Sequence, residues 1–160
     1  MAADAGQDQA VSEARAIAYR YLANREHSRH ELRAKLLRRG VPEDIAFIAV
    51  DELAEEGLVS DRRYAEAFAR SRISRLQGPF KIRSELRGRG VSDALIDETL
   101  GVYRDDWIDL ATDWVARRCR GTFDRAEKAR LYRGGTRRGF DHEQMMRALE
   151  SFSPPAGESS

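Results

Sequence analysis

The residues best suited to chemistry are three histidines, one cysteine, a run of carboxylates and a dense set of arginines. His27 and His30 stand three apart beside Glu26, a spacing that brings side chains together on one helix face. A zinc site needs a third and a fourth ligand, and no cluster of Cys or His supplies them. All three histidines, His142 included, therefore read as residues of helix surfaces. Cys119 lies between Arg118 and Arg120, and neighbouring cations lower a thiol pKa. No histidine is near it in sequence, and a single cysteine is no signature of a nucleophile. Gly134-Gly135 and Gly139 follow no strand and belong to no phosphate-binding loop. Asp51, Glu52, Glu55, Glu56 and Asp61 lack metal-ligand spacing and read as a solvated face. The residues offer no catalytic group, no metal site and no cofactor site, and binding is what remains.

The cations are the better lead. Of 28 Lys and Arg, 25 are arginine, by coding bias or because arginine grips carboxylates and phosphates in two-pronged fashion. Net charge is +1 but uneven: residues 1–60 carry −3, residues 61–104 carry +4 and residues 105–160 carry none. The middle third is thus a candidate basic surface. Arg38, Arg39, Arg87, Arg89, Arg137 and Arg138 each stand in the last turn of an expected helix, where the macrodipole favours positive charge. The density of Arg70, Arg72, Arg75, Lys81, Arg83 and Arg87 exceeds what helix ends require, and these six are the candidate contacts with a partner.

The elements that must position them repeat. The stretch S-R-H-E-L-R-A-K-L-L-R-R-G-V, residues 28–41, returns in altered form. With Gly40 set over Gly90, Leu32 falls on Ile82, Leu36 on Leu86, Arg39 on Arg89 and Val41 on Val91. With Gly139 beneath both, Leu131, Gly135, Arg138 and Phe140 take the matching places. The glycines are 50 and then 49 residues apart, the mark of a repeated supersecondary unit. In each copy a helix closes on Arg-Gly, glycine taking the left-handed backbone that ends a helix, and a new helix starts at once. Ser28 and Glu31 fit a capping box, as Asp141 and Gln144 do more weakly. Val91 with Ile96, and Phe140 with Met145, fit hydrophobic staples.

The sequence thus predicts an all-α protein of three tandem three-helix, helix-turn-helix-like repeats in an elongated array: residues 12–59, 60–104 and 105–152. The flanks 1–11 and 153–160 are expected to be disordered. The first helix should span Ser12 to Arg25, with Ala14, Ile17, Ala18, Tyr21 and Leu22 at helical spacing. Gly135 stands where Leu36 and Leu86 stand in the first two repeats, and Gly134 precedes it, at roughly 1 kcal/mol of helix propensity each. The middle helix of the third repeat is therefore expected to be broken or to slide in register.

At 160 residues, 41% apolar and 34% charged, the chain suffices for one domain or a short array. One cysteine excludes an internal disulfide and fits a reducing cytosol. No apolar run approaches the roughly 20 residues that span a bilayer, and no secretory signal is visible. Such repeats serve two classes of function. Short helices joined by a glycine turn suit helix-turn-helix DNA reading, with the arginine-bearing face of residues 62–89 on phosphates. A helical array equally suits docking on protein, whether on a regulated partner or as a structural adaptor.

The chain resembles the RecX family of bacterial recombination regulators. The resemblance rests on Y-L-A-N-R-E-H-S-R-H-E-L (21–32), L-L-R-R-G-V (36–41), L-x-E-x-G-L-V-S-D-R-R-Y-A-E-A-F (53–68), G-P-F-K-I-R-S-E-L-R-x-R-G-V (78–91) and R-R-G-F (137–140). It covers roughly residues 14–150 and is weakest in the third repeat, where Gly134 and Gly135 replace the large apolar residues usual in the family. It implies a cytoplasmic, monomeric protein without enzymatic activity, acting in DNA repair, recombination and the SOS response. Its partner would be the RecA filament on single-stranded DNA. Lodged in the groove, it would suppress ATP hydrolysis, strand exchange and filament growth, with weak direct contact to DNA. The six candidate cations would meet acidic RecA surface or the DNA backbone. A stand-alone DNA-binding module acting indirectly is the alternative.

Overall fold

The computed structural model describes residues 2–152, and within them nine helices and no strand. The first repeat holds α1 (Ala2–Asn24), α2 (Arg29–Arg38) and α3 (Glu43–Glu55). The second holds α4 (Asp61–Ile73), α5 (Pro79–Gly88) and α6 (Asp93–Gly101). The third holds α7 (Trp107–Arg118), α8 (Arg125–Arg138) and α9 (His142–Glu150). The three tandem three-helix repeats are those read from the glycine period.

Local chemistry sets the boundaries. Ser28 caps α2 by accepting from the Glu31 N–H, and Asp124 caps α8 by accepting from the Glu127 N–H. Asp141 and Gln144 form both halves of a capping box at α9. At α2 only the Ser28 half is made, because the Glu31 carboxylate turns away to meet cations. The middle helices end alike. Val41 donates to Leu36 O, Val91 to Leu86 O and Phe140 to Gly135 O, each at 3.1 Å. Gly40, Gly90 and Gly139 take φ of 86°, 78° and 105°, the left-handed turn that satisfies the last carbonyls of a helix.

Three expectations are corrected. Residues 2–11 belong to α1, where disorder was expected. Alanine and glutamine favour helix, Asp4 complements the first turn, and Val11 packs with Ala14, Ile45 and Ala49. The helix α8 is unbroken through Gly134 and Gly135. A Cβ on Gly134 would stand 2.8 Å from Trp114 Cη2, and one on Gly135 would collide with the Met145 thioether. The glycines therefore let α8 lie close against α7 and α9, with Trp114 over Gly134 and Met145 filling the room that Leu36 and Leu86 take in the other repeats. The expected capping box at Ser28 is the third, made by half as described. The tail expected at 153–160, like Met1, lies outside the described residues.

The chain divides into two compact units, Met1–Phe68 with Leu86–Ile96, and Ala69–Glu85 with Asp97–Ser160. The core of the first gathers Ala18, Leu32, Leu36, Ala46, Val50, Leu53 and Val59. That of the second gathers Leu76, Ala111, Trp114, Val115, Leu131, Phe140, Met145, Ala148 and Leu149.

Each unit contains a joint in which the Arg-Gly turn of one repeat sits on the start of the preceding repeat's middle helix. In the first unit, Ser28 Oγ donates to Arg89 O at 2.7 Å. Arg89 Nη1 donates to Glu31 Oε2 at 2.9 Å and to Tyr64 Oη at 2.8 Å. A Cβ on Gly90 would collide with His30. In the second unit, Gly78 N–H donates to Arg138 O at 2.9 Å and Phe80 N–H to Gly139 O at 3.0 Å. The Arg138 guanidinium returns two hydrogen bonds, to the carbonyls of Arg75 and Leu76.

Candidate partner-binding surface

The six cations singled out from the sequence differ in their immediate surroundings. Arg72 Nε pairs with Glu85 at 3.0 Å, and the buried Gln77 amide shares that carboxylate at 3.1 Å. Arg83 pairs with Asp97 at 2.7 Å, and Arg87 with Asp93 at 2.7 Å. Half the set is thus matched by carboxylates of the chain itself. Arg70 lies exposed on α4, Arg75 exposed in the turn after it and Lys81 exposed on α5. Arg87 belongs to the first unit and the other five to the second.

Lys81 joins cations outside that set, two of which, Arg137 and Arg138, the helix-end explanation had absorbed. With Trp114, Arg118, Arg130, Gly134, Arg137 and Arg138 it lines a cleft of about 340 Å³ in the second unit. Among the described residues Arg130 is the one cation of the five with a carboxylate partner, Glu127, at 2.5 Å and 2.8 Å. Arg130 first, and then the Arg120 N–H, hold the Glu127 carboxyl at about 2. Lys81, Arg118, Arg137 and Arg138 remain unneutralised in one concave surface. The Trp114 indole N–H is buried behind it without a hydrogen-bond partner. The sequence signal for this cleft was present in Arg117-Arg118 and Arg137-Arg138. It was hidden because each run also suits a helix end, and only the close approach of α7 and α8 over Gly134 brings them together.

A second cluster of charge surrounds the first joint. Burial works to raise the Glu31 carboxyl, but a hydrogen bond and charge from Arg25 and a hydrogen bond from Arg89 outweigh it and hold it below its ordinary value. His27 is buried, not on a helix surface as the sequence suggested. Its Nδ1–H donates to Arg25 O at 3.0 Å and its Nε2 accepts from Lys35 Nζ at 2.8 Å. Burial, then the charges of Arg25 and Lys35, lower its pKa, so it is a neutral structural group. His142 Nδ1 meets Tyr132 Oη at 2.9 Å. Among the described residues no group of three His, Cys, Asp or Glu is placed to hold a metal ion, and no helix is long and apolar enough to cross a membrane.

The fold and its surface define a tandem three-helix-repeat protein whose chemistry is that of charged, partly concave surfaces on a helical scaffold. Known proteins share both sequence and architecture. Residues 14–53 match the model for the first three-helix domain of RecX, and residues 60–100 match that for the second. A regulatory protein RecX of Chromohalobacter salexigens is 47% identical over 134 residues, 82% of this chain and 88% of that protein. One of Halorhodospira halophila is 45% identical over 87% of this chain and 88% of its own length. A crystal structure of a regulatory protein RecX superposes with a TM-score of 0.82 at 24% identity, over 92% of this chain and 75% of that one. The RecX structure from Lactobacillus salivarius gives 0.76 at 21%, over 90% and 97%. The chain belongs to the RecX family, whose named members here are regulatory proteins.

Proposed function

We propose that the protein is a cytoplasmic, monomeric negative modulator of a RecA-type recombinase. It docks in the helical groove of the RecA filament on single-stranded DNA and inhibits ATP hydrolysis, strand exchange and filament growth. The observation that carries the reading is the 47% identity over most of the chain to a regulatory protein RecX. The fold supports it in kind. Helical repeats offer extended surfaces to repetitive partners, and several weak contacts along one filament raise the effective concentration of each. Arg70, Arg75 and Lys81 are the best-placed members of the expected contact set. Arg72, Arg83 and Arg87 would act there through guanidinium groups already held by carboxylates.

The protein should suppress DNA-dependent ATP hydrolysis by preformed RecA filaments in proportion to the protein bound. Unchanged hydrolysis at saturating protein would contradict the proposal. The cleft of Lys81, Arg118, Arg137 and Arg138 favours a second reading, direct binding to nucleic-acid phosphates by a stand-alone module. Such binding would fall steeply as salt rises, whereas docking on protein would persist.

A further inference from the structure

The same turn occurs three times, as Arg39-Gly40-Val41, Arg89-Gly90-Val91 and Arg138-Gly139-Phe140, with the same backbone hydrogen bonds and the same left-handed glycine. Two of the three are seated. Arg89-Gly90 sits on Ser28 to Glu31, and Arg138-Gly139 sits on Gly78 to Lys81. In both seats a Cβ on the glycine has no room: on Gly90 it would collide with His30, and on Gly139 it would lie 2.6 Å from Lys81 Cβ and 2.8 Å from Lys81 N. The first turn is open. A Cβ on Gly40 meets nothing within 4 Å, and Arg39 is exposed where Arg89 and Arg138 are partly buried. Val41 is half-exposed where Val91 and Phe140 are buried at 4% and 1%.

We propose that the Arg39-Gly40-Val41 turn is a docking element for another protein, and that its seat is the N-terminal turn of a helix on that partner. The two occupied seats define the chemistry. The partner helix has serine or glycine at its cap, so that the turn can approach. It offers Arg39 either a carboxylate on the third helical residue, as Glu31 offers Arg89, or the carbonyl oxygens of the loop before the helix, as Arg75 and Leu76 offer Arg138.

The occupant is not a second copy of the chain. The seats at the starts of α2 and α5 are filled from within. Twelve residues before each glycine stand Ser28 and Gly78, both helix-start residues. In the third repeat that place falls on Glu127, already inside α8, with its carboxylate bound to Arg130. The start of α8 therefore offers no such seat, and no described residue of the chain seats the first turn.

The test takes the full chain and two variants, Gly40→Asn and Arg39→Gln. Asparagine tolerates positive φ, so Gly40→Asn preserves fold and charge while its Cβ blocks the seat. Binding is measured to preformed RecA–single-stranded-DNA filaments, a probe whose choice rests on the function proposed above. In parallel a stapled helical peptide of residues 26–38, which carries the Ser28–Glu31 seat, is titrated into the full chain and followed by amide shifts. Both variants should bind filaments about tenfold more weakly, the size of a modest interface hot spot, with melting temperatures close to wild type. The peptide should shift the amides of Arg39, Gly40 and Val41. Filament binding unchanged in both folded variants overturns the docking element whatever the peptide does, and leaves the filament function standing. If the wild type itself fails to bind filaments, that function falls and the peptide decides: shifts at the turn sustain the docking element, and none there overturn it.

Discussion

The two internal joints use one backbone turn with two chemistries. At the first, Arg89 reaches side chains, the Glu31 carboxylate and the Tyr64 hydroxyl. At the second, Arg138 reaches only main-chain carbonyls, and Gly78 lets backbone lie against backbone. Both seats are close, but the first joint carries a titratable carboxylate, and the second holds its arginine on main-chain carbonyls. The turn itself is the conserved geometry within this chain, and the seat supplies the difference.

The two joints should break differently. The largest effect is expected for Gly78→Ala, whose Cβ would collide with the backbone of Gly139 and Phe140. Backbone cannot rotate aside as a side chain can, so a loss of about 3 kcal/mol is expected in urea unfolding. A loss below about 0.5 kcal/mol would mean that the second joint is not closely seated. Arg89→Ala should lose about 2 kcal/mol at pH 7, the scale of a hydrogen bond to a charged group. Glu31 titrates below its ordinary value in the folded chain. Its contribution is thus full above the unfolded carboxylate pKa and is lost as pH falls through the folded value. The difference between wild type and Arg89→Ala should accordingly shrink in acid. Arg138→Ala should lose about 1.5 kcal/mol, and that loss should be the same at pH 7 and pH 4. An equal pH response in both variants would erase the distinction between the joints.

The smallest effect is expected beside the first joint, at His27. Its folded pKa is lowered, so the unfolded chain takes up the proton first as pH falls below the ordinary histidine value. Stability should decline from there down to the folded pKa and then level off. His27→Gln should flatten melting temperature against pH in that window, which opens just below the ordinary histidine value. A slope unchanged by the substitution would show that His27 is not the group responsible.

Much of this architecture is legible in the sequence because its signals are local. The Arg-Gly turns, the caps at Ser28 and Asp141, and the leucines at 32 and 36 each state their helix boundary or face within a few residues. What could not be read depends on close approach between distant elements. Gly134 and Gly135 look like helix breakers by propensity, yet Trp114 and Met145 occupy the space they leave, and packing outweighs roughly 2 kcal/mol of lost propensity. Glu31 looks like the second half of a capping box until Arg89, 58 positions away, claims it. The candidate contacts were picked between residues 70 and 87 on charge density. The structure pairs Arg72, Arg83 and Arg87 with carboxylates of the chain, and it gathers Lys81 with Arg118, Arg137 and Arg138.

The proposed function turns on whether the protein recognises an assembled filament or only the nucleic acid within it. The direct measurement is cosedimentation of the purified full chain with preformed RecA–single-stranded-DNA filaments, beside bare single-stranded DNA, at physiological salt. Pelleting with the filament and not with bare DNA is the predicted result. Equal pelleting with both, lost together as salt is raised, would contradict docking on the recombinase and leave the cleft around Lys81 as a phosphate-binding surface.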